Sequence, residues 1–108
     1  MTAPTLDAFQ VMADPSRRQI LILLSKDSLT INSLAENFQM SRPAVSKHIK
    51  ILYGAGFISI KDIGRERYCT LKQDGFKELQ DWINYFDKFW ITKLKKLETL
   101  LNDKTIKK

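Results

Sequence analysis

The side chains of this sequence with the clearest chemistry are cations. Arg42, Lys47, Lys50 and Lys61 lie between Asn37 and Lys61, a stretch without Asp or Glu that carries four of the six net positive charges of the chain. Ser41, Arg42, Pro43, Ser46, Lys47 and Lys50 crowd its centre. At about 100° per residue, Pro43, Ser46, Lys47 and Lys50 share one helical face, while Val45, Ile49 and Leu52 fall within roughly 60° of one another on another. The B-DNA major groove is about wide enough for one such helix. In that pose Arg42 and Lys47 donate to guanine edges, and Ser46 serves a base edge or a phosphate. Pro43 meets a thymine methyl, and Lys50, a turn further on, meets phosphate. The alternative is a solvated basic face on an ordinary helix, because charge speaks to partners and not to fold.

Other chemistries lack their parts. One cysteine, Cys69, and one histidine, His48, exclude an intramolecular disulfide and cannot supply the usual four ligands of a structural zinc site. No serine or cysteine nucleophile has a histidine partner, and no glycine-rich phosphate loop occurs. Asp74, Glu78, Asp81 and Asp87 share helical spacings with lysines such as Lys77 and Lys88, as solvated ion pairs do. The sequence therefore predicts no enzyme, cofactor or metal. Eighteen Lys plus Arg against twelve Asp plus Glu point to a polyanionic partner, with nucleic acid first. No apolar run approaches the roughly 20 residues that span a bilayer, and Met1 to Gln10 lacks a basic segment followed by an apolar one. With the single cysteine, this predicts a cytoplasmic chain without membrane insertion.

The elements that must hold the cationic face follow from punctuation and periodicity. The chain's 108 residues favour one domain, expected over 1–103, with a basic tail at 104–108. Thr5 to Met12 is a short amphipathic helix candidate carrying Leu6 and Phe9. Asp14-Pro15 starts a second helix running to about Lys26, since Asp accepts from first-turn amides and Pro needs no acceptor there. Thr30 or Asn32 caps a third, with Leu34, Ala35 and Phe38 apolar; Gln39 and Met40 turn the chain, and Ser41 caps a fourth that ends near Gly54 and Gly56. Phe57 to Ile63, Gly64, and Arg67 to Leu71 read as a β-hairpin. Gln73 to Asp103 reads as one helix of about 45 Å, whose apolar positions Phe76, Leu79, Ile83, Phe86, Trp90, Leu94, Leu97 and Leu101 exceed what one small core covers. The fold class is mainly α with a small β-hairpin.

Ala13-Asp14-Pro15-Ser16-Arg17-Arg18-Gln19-Ile20-Leu21, then Leu34-Ala35, Ser41 to Leu52 and Ala55-Gly56-Phe57-Ile58 resemble the ArsR-type winged helix-turn-helix repressors, and Gly64 to Leu71 resembles that family's wing. The resemblance covers most of the chain from Ala13 to Leu71, in order. It implies a homodimeric repressor on double-stranded DNA at an imperfect inverted repeat, dimerising through the first and last helices, with Leu6, Phe9, Phe86, Trp90, Leu94, Leu97 and Leu101 at the interface. The over-long apolar last helix independently asks for a partner. Family members that sense metals carry Cys-x-Cys where Thr30 and Asn32 stand here, and a second family site needs histidine on the last helix, which has Asp87 and Glu98 but none. The chain is thus similar to the metal-independent branch, and Trp82, Phe86, Phe89 and Trp90 resemble members with an aromatic last helix.

Remaining residues admit two readings each. Arg65 and Arg67 are the wing's cations for a minor groove or backbone, unless they pair across strands with acids such as Asp62 and Glu66. Arg17 and Arg18 reach phosphate or decorate the surface; Tyr53 and Tyr68 bond phosphate or finish the core. His48, about 100° from Ile49, reads as an interior hydrogen-bonding group or a phosphate contact before it reads as a metal ligand. Cys69 reads as buried filler before it reads as a redox sensor, since a reactive thiol needs a lowered pKa and solvent access. The rival functions are an adaptor that binds protein through the aromatic last helix, a redox-responsive repressor using Cys69, and a metal sensor with an unfamiliar site. Release of the repressor by a sequestering protein or a small molecule stays open.

Overall fold

Polar side chains start the first four helices of the computed structural model, which describes residues 6–106, with side chains through Asn102. Asp7 and Gln10 each accept from the other's amide at 2.8 Å, a capping box that starts α1 (Ala8–Met12). This helix is shorter than expected, and Thr5 lies outside the described residues. Asp14 accepts from the amides of Ser16 at 2.8 Å and Arg17 at 3.2 Å, and Pro15 opens α2 (Pro15–Leu24). Burial pushes the Asp14 carboxyl up, but the amides of Arg17 and Ser16 and the fields of His48 and Arg17 together hold it below its ordinary value. Its folded pKa lies under the unfolded one, so this cap contributes stability above about pH 3.9 and loses it as pH falls through the folded value.

Thr30, rather than Asn32, caps α3 (Ile31–Glu36), its hydroxyl accepting from the Ser33 amide at 3.0 Å. Ser41 caps α4 (Arg42–Gly54), accepting from the Ala44 amide at 3.3 Å, with Pro43 in the first turn. The expected hairpin is β2 (Ile58–Ile63) with β3 (Glu66–Leu71), antiparallel, from Ile58 opposite Leu71 to Ile63 opposite Glu66. Gly64, at φ 63°, supplies the left-handed turn that an L side chain resists.

A strand absent from the sequence reading joins them: β1 (Leu29–Thr30) pairs with β3 opposite Cys69 and Tyr68, giving the order β1-β3-β2. Two residues are too few to carry an alternating pattern. Val11, Ile20, Leu34, Val45, Ile49, Leu52, Phe57 and Cys69 are buried between the helices and this sheet.

The chain divides into two compact units, residues 1–78 and 79–108. α5 (Phe76–Ile106) starts at the end of the first, three residues later than expected. There Gly75 donates its amide to the Gly56 carbonyl at 2.8 Å, and Phe76 meets Phe57 edge-on with ring centres 4.9 Å apart. In the second unit every described side chain from Asp81 to Asn102 is exposed. The helical backbone runs through Ile106, so the expected tail at 104–108 is helical for its first three residues, and Lys107 and Lys108 lie outside the described residues. Among the described residues no helix is long and apolar enough to cross a membrane.

A Cβ on Gly75 would stand 2.7 Å from Cγ of the buried Phe57 ring, whereas one on Gly54 would meet nothing within 4 Å. Gly75→Ala is expected to lower the unfolding free energy by about 1–3 kcal/mol through overpacking, and Gly54→Ala to leave it level or raise it by up to about 1 kcal/mol. Denaturant unfolding followed by circular dichroism checks the pair; equal effects would contradict the close approach at Gly75.

Candidate nucleic-acid interface

Burial decides which side of α4 faces out. Val45, Ile49 and Leu52 are at most 1% exposed, and their spacing turns Pro43, Lys47 and Lys50 to solvent. Arg42 is exposed at the helix start, and Ser41, also exposed, holds the first turn. Ser46 departs from the expected outer face: it is partly buried and lines a cleft of about 620 Å³. Arg42, Lys50, Tyr53 and Arg67 share that cleft, over the side chains of Ile31, Ile49 and Ile60. It opens between α4 and the hairpin strands, so the structure brings two of the helix cations, Arg42 and Lys50, and one hairpin cation to one concave surface, while Lys47 stands exposed outside its lining. Tyr53 is 54% exposed and belongs to this surface and not to the core.

The two hairpin arginines differ. Arg67 Nε lies 3.2 Å from Asp62 Oδ1 in the directly opposed cross-strand pair, with both side chains about two-thirds exposed. This is the cross-strand pairing that the sequence left as an alternative. Such an exposed pair holds little energy, so a polyanion can compete for Arg67. Arg65 stands exposed in the turn beside Gly64, with no ion pair among the described residues. Tyr68 is partly buried, and its hydroxyl donates to Glu66 Oε2 at 3.4 Å.

Arg17 is neither a phosphate contact nor surface decoration. It is 8% exposed, and its Nε donates to the Val11 carbonyl at 2.8 Å and its Nη2 to the Gln10 carbonyl at 3.2 Å. Nη1 lies 3.3 Å from His48 Nδ1, which therefore accepts, giving His48 the interior hydrogen bond expected of it. Arg18 Nη1 donates to the Met12 carbonyl. Together the two arginines satisfy the last carbonyls of α1, which a five-residue helix cannot satisfy internally. That demand was the available signal: a short helix followed within one turn of the next by paired arginines.

Asn32, read from the sequence only as a possible cap, belongs to this surface instead; its Oδ1 accepts from Arg42 Nε. Cys69 is fully buried, and burial pushes its thiol up to about 11. At neutral pH it is then held as the protonated thiol rather than the nucleophilic thiolate, so Cys69 is poorly suited to sensing oxidants. Among the described residues no group of three or more His, Cys, Asp and Glu could hold a metal ion.

Of the residues expected at a second-copy interface, Leu6 is partly buried and Phe9 is 38% exposed. Phe86, Trp90, Leu94, Leu97 and Leu101 are all exposed along α5. On this helix Trp82 meets Phe86 edge-on at 5.0 Å, Phe89 meets Trp90 at 5.2 Å, and Lys93 Nζ sits 5.1 Å from the Phe89 ring centre.

Residues 14–59 match the sequence profile of bacterial regulatory proteins of the arsR family. The transcriptional repressor SdpR of Bacillus subtilis (strain 168) is 34% identical over 83 residues, covering 76% of this chain and 92% of its own. The crystal structure of an ArsR family transcriptional regulator superposes with a TM-score of 0.71 at 35% identity, covering 77% of this chain and 91% of the other. That of a possible transcriptional regulator for arsenical resistance gives 0.68 at 39% identity, covering 85% and 93%.

Arg17→Met removes the donors to Gln10 and Val11 and is expected to cost about 1–3 kcal/mol of stability, with Arg18→Met costing about 1 kcal/mol or less. Thermal unfolding of the two variants measures this. An Arg17→Met protein of native stability with weakened duplex binding would return Arg17 to the phosphate-contacting set.

Proposed function

This chain belongs to the ArsR family of bacterial regulatory proteins, a winged helix-turn-helix family of DNA-binding transcription regulators and not of enzymes, and we propose that it represses as a homodimer on an inverted-repeat operator. The observation that carries the reading is the outward face of α4. Pro43, Lys47 and Lys50 are exposed there, Arg42 stands at the helix start, and no acid lies between Asn37 and Lys61. In this reading α4 enters the major groove. Arg42 and Lys47 donate to guanine edges, Pro43 packs on a thymine methyl, Ser41 and Ser46 meet the backbone or a base edge, and Lys50 meets phosphate. The hairpin is the wing, and Arg65, with Arg67 once Asp62 releases it, follows the adjacent minor groove.

Repression itself is supported by the similarity to SdpR, a transcriptional repressor, and follows from occupying a promoter. Dimerisation is supported by the apolar side of α5: Phe86, Trp90, Leu94, Leu97 and Leu101 are between 39% and 61% exposed in the single chain. Contiguous apolar surface of this kind on a soluble helix marks an association site. Two copies related by a two-fold axis would set their α4 helices about one helical turn apart, roughly 34 Å, on a pseudo-palindrome. The site of action is the cytoplasm, where a bacterial regulator meets its DNA.

Mobility-shift titrations against a duplex selected from a random pool test the reading face. Arg42→Ala and Lys47→Ala are each expected to relax base preference by roughly 1–3 kcal/mol at particular positions, while Lys50→Ala weakens all duplexes alike and lessens the salt dependence by about one counterion. Unchanged preference in both the Arg42→Ala and Lys47→Ala variants would contradict the assignment.

A further inference from the structure

We infer that Asn32 is a positioning residue for Arg42, fixing the plane of the guanidinium that reads a base edge; this rests on the base-reading role proposed for Arg42 above. Arg42 opens α4 and is exposed, so an unrestrained side chain at this place would sample many rotamers and lose them on docking. Its Nε instead donates to Asn32 Oδ1, which comes from α3 on the far side of the turn. Nε is the inner nitrogen of the guanidinium. Engaging it sets the orientation of the group and leaves both terminal nitrogens, which form the fork that matches guanine O6 and N7. Among the described residues neither terminal nitrogen has an acceptor, and no carboxylate pairs with Arg42.

The chemistry of the partner matters as much as its place. Asp62 orients Arg67 but also offsets its charge, at 3.2 Å. An amide oxygen orients Arg42 while leaving its full positive charge for DNA. The two helices that carry the pair are themselves fixed, α3 by the Thr30 cap and the buried Leu34, α4 by the Ser41 cap and the buried Val45. The contact is therefore set before DNA arrives, which is the condition under which orientation sharpens recognition.

The experiment uses the full chain and a duplex recovered by selection from a random pool. Affinities for that duplex, for its single base-pair variants and for a scrambled duplex are measured at several salt concentrations. The proteins compared are the parent, Asn32→Ala, Asn32→Asp, Arg42→Ala and the double variant Asn32→Ala with Arg42→Ala. Asn32→Ala is expected to lose about tenfold in discrimination at the base pairs that Arg42→Ala affects, with scrambled-duplex affinity and salt slope unchanged because no cation is removed. The double variant is expected to discriminate no worse than Arg42→Ala. Asn32→Asp keeps an acceptor, so it is expected to retain discrimination while weakening every duplex. If Asn32→Ala keeps the discrimination that Arg42→Ala loses, the positioning role is overturned and the base-reading role stands. If Arg42→Ala loses none, the base-reading role fails and takes this inference with it. Circular dichroism melts of both Asn32 variants, expected at the parent temperature since the side chain is exposed, keep a folding defect from imitating the first result.

Discussion

Burial of Val45, Ile49 and Leu52 is the constraint from which the rest of this molecule's chemistry follows. These three side chains are held inside by the same core that contains Ile20, Leu34 and Phe57. Because they occupy one stripe of α4, the helix has a single rotation about its axis that satisfies the core, and that rotation turns Pro43, Lys47 and Lys50 outward. Fully burying side chains of this size is worth about 1.5–3 kcal/mol each, far more than the surface electrostatics of a few lysines. Packing therefore presents the charge, and the charge does not need to stabilise the fold. The Ser41 cap fixes where the helix starts, and with it the place of Arg42 at the rim.

What the sequence disclosed, and what it withheld, divides by the range of the interaction. Asp14, Ser41 and Pro15 act within three residues of themselves, so their roles could be read directly. The hairpin was readable from β-branched residues around Gly64 for the same reason. Arg17 could not be placed, because its partners Gln10, Val11 and His48 come from two other helices and a charged side chain in a first turn ordinarily faces water. The two-residue strand β1 exists only through its pairing with β3. Asn32 looked like a possible cap; Thr30 took that work, which left the Asn32 amide free to face Arg42. Ser46 was assigned to the outer face by angle alone, but neighbouring hairpin side chains make its position a cleft wall.

The positions at which metal-sensing members of the resembled family carry thiolates thus hold two residues with other tasks here, a helix cap and a partner for an exposed arginine. Cys69 lies on the buried side of β3, where loss of solvent keeps its thiol protonated. α5 shows the converse economy. Its first turn closes over Phe57 in the first unit, and further along, its aromatic and leucine side chains have apolar area that its own unit leaves exposed. In the dimer proposed above, a second copy covers that area, doubles the DNA-binding surface and links two weak half-site contacts into one strong one.

The geometry of that pairing is open to one direct measurement. With the operator defined by selection, its affinity is compared with that of the same duplex carrying five extra base pairs at the centre, which turn one half-site about half a helical turn away from the other. Two α4 helices held rigidly about one turn apart require affinity to fall by about a hundredfold or more, toward that of an isolated half-site. Equal affinity for both duplexes would contradict a two-fold pair that reads both halves together.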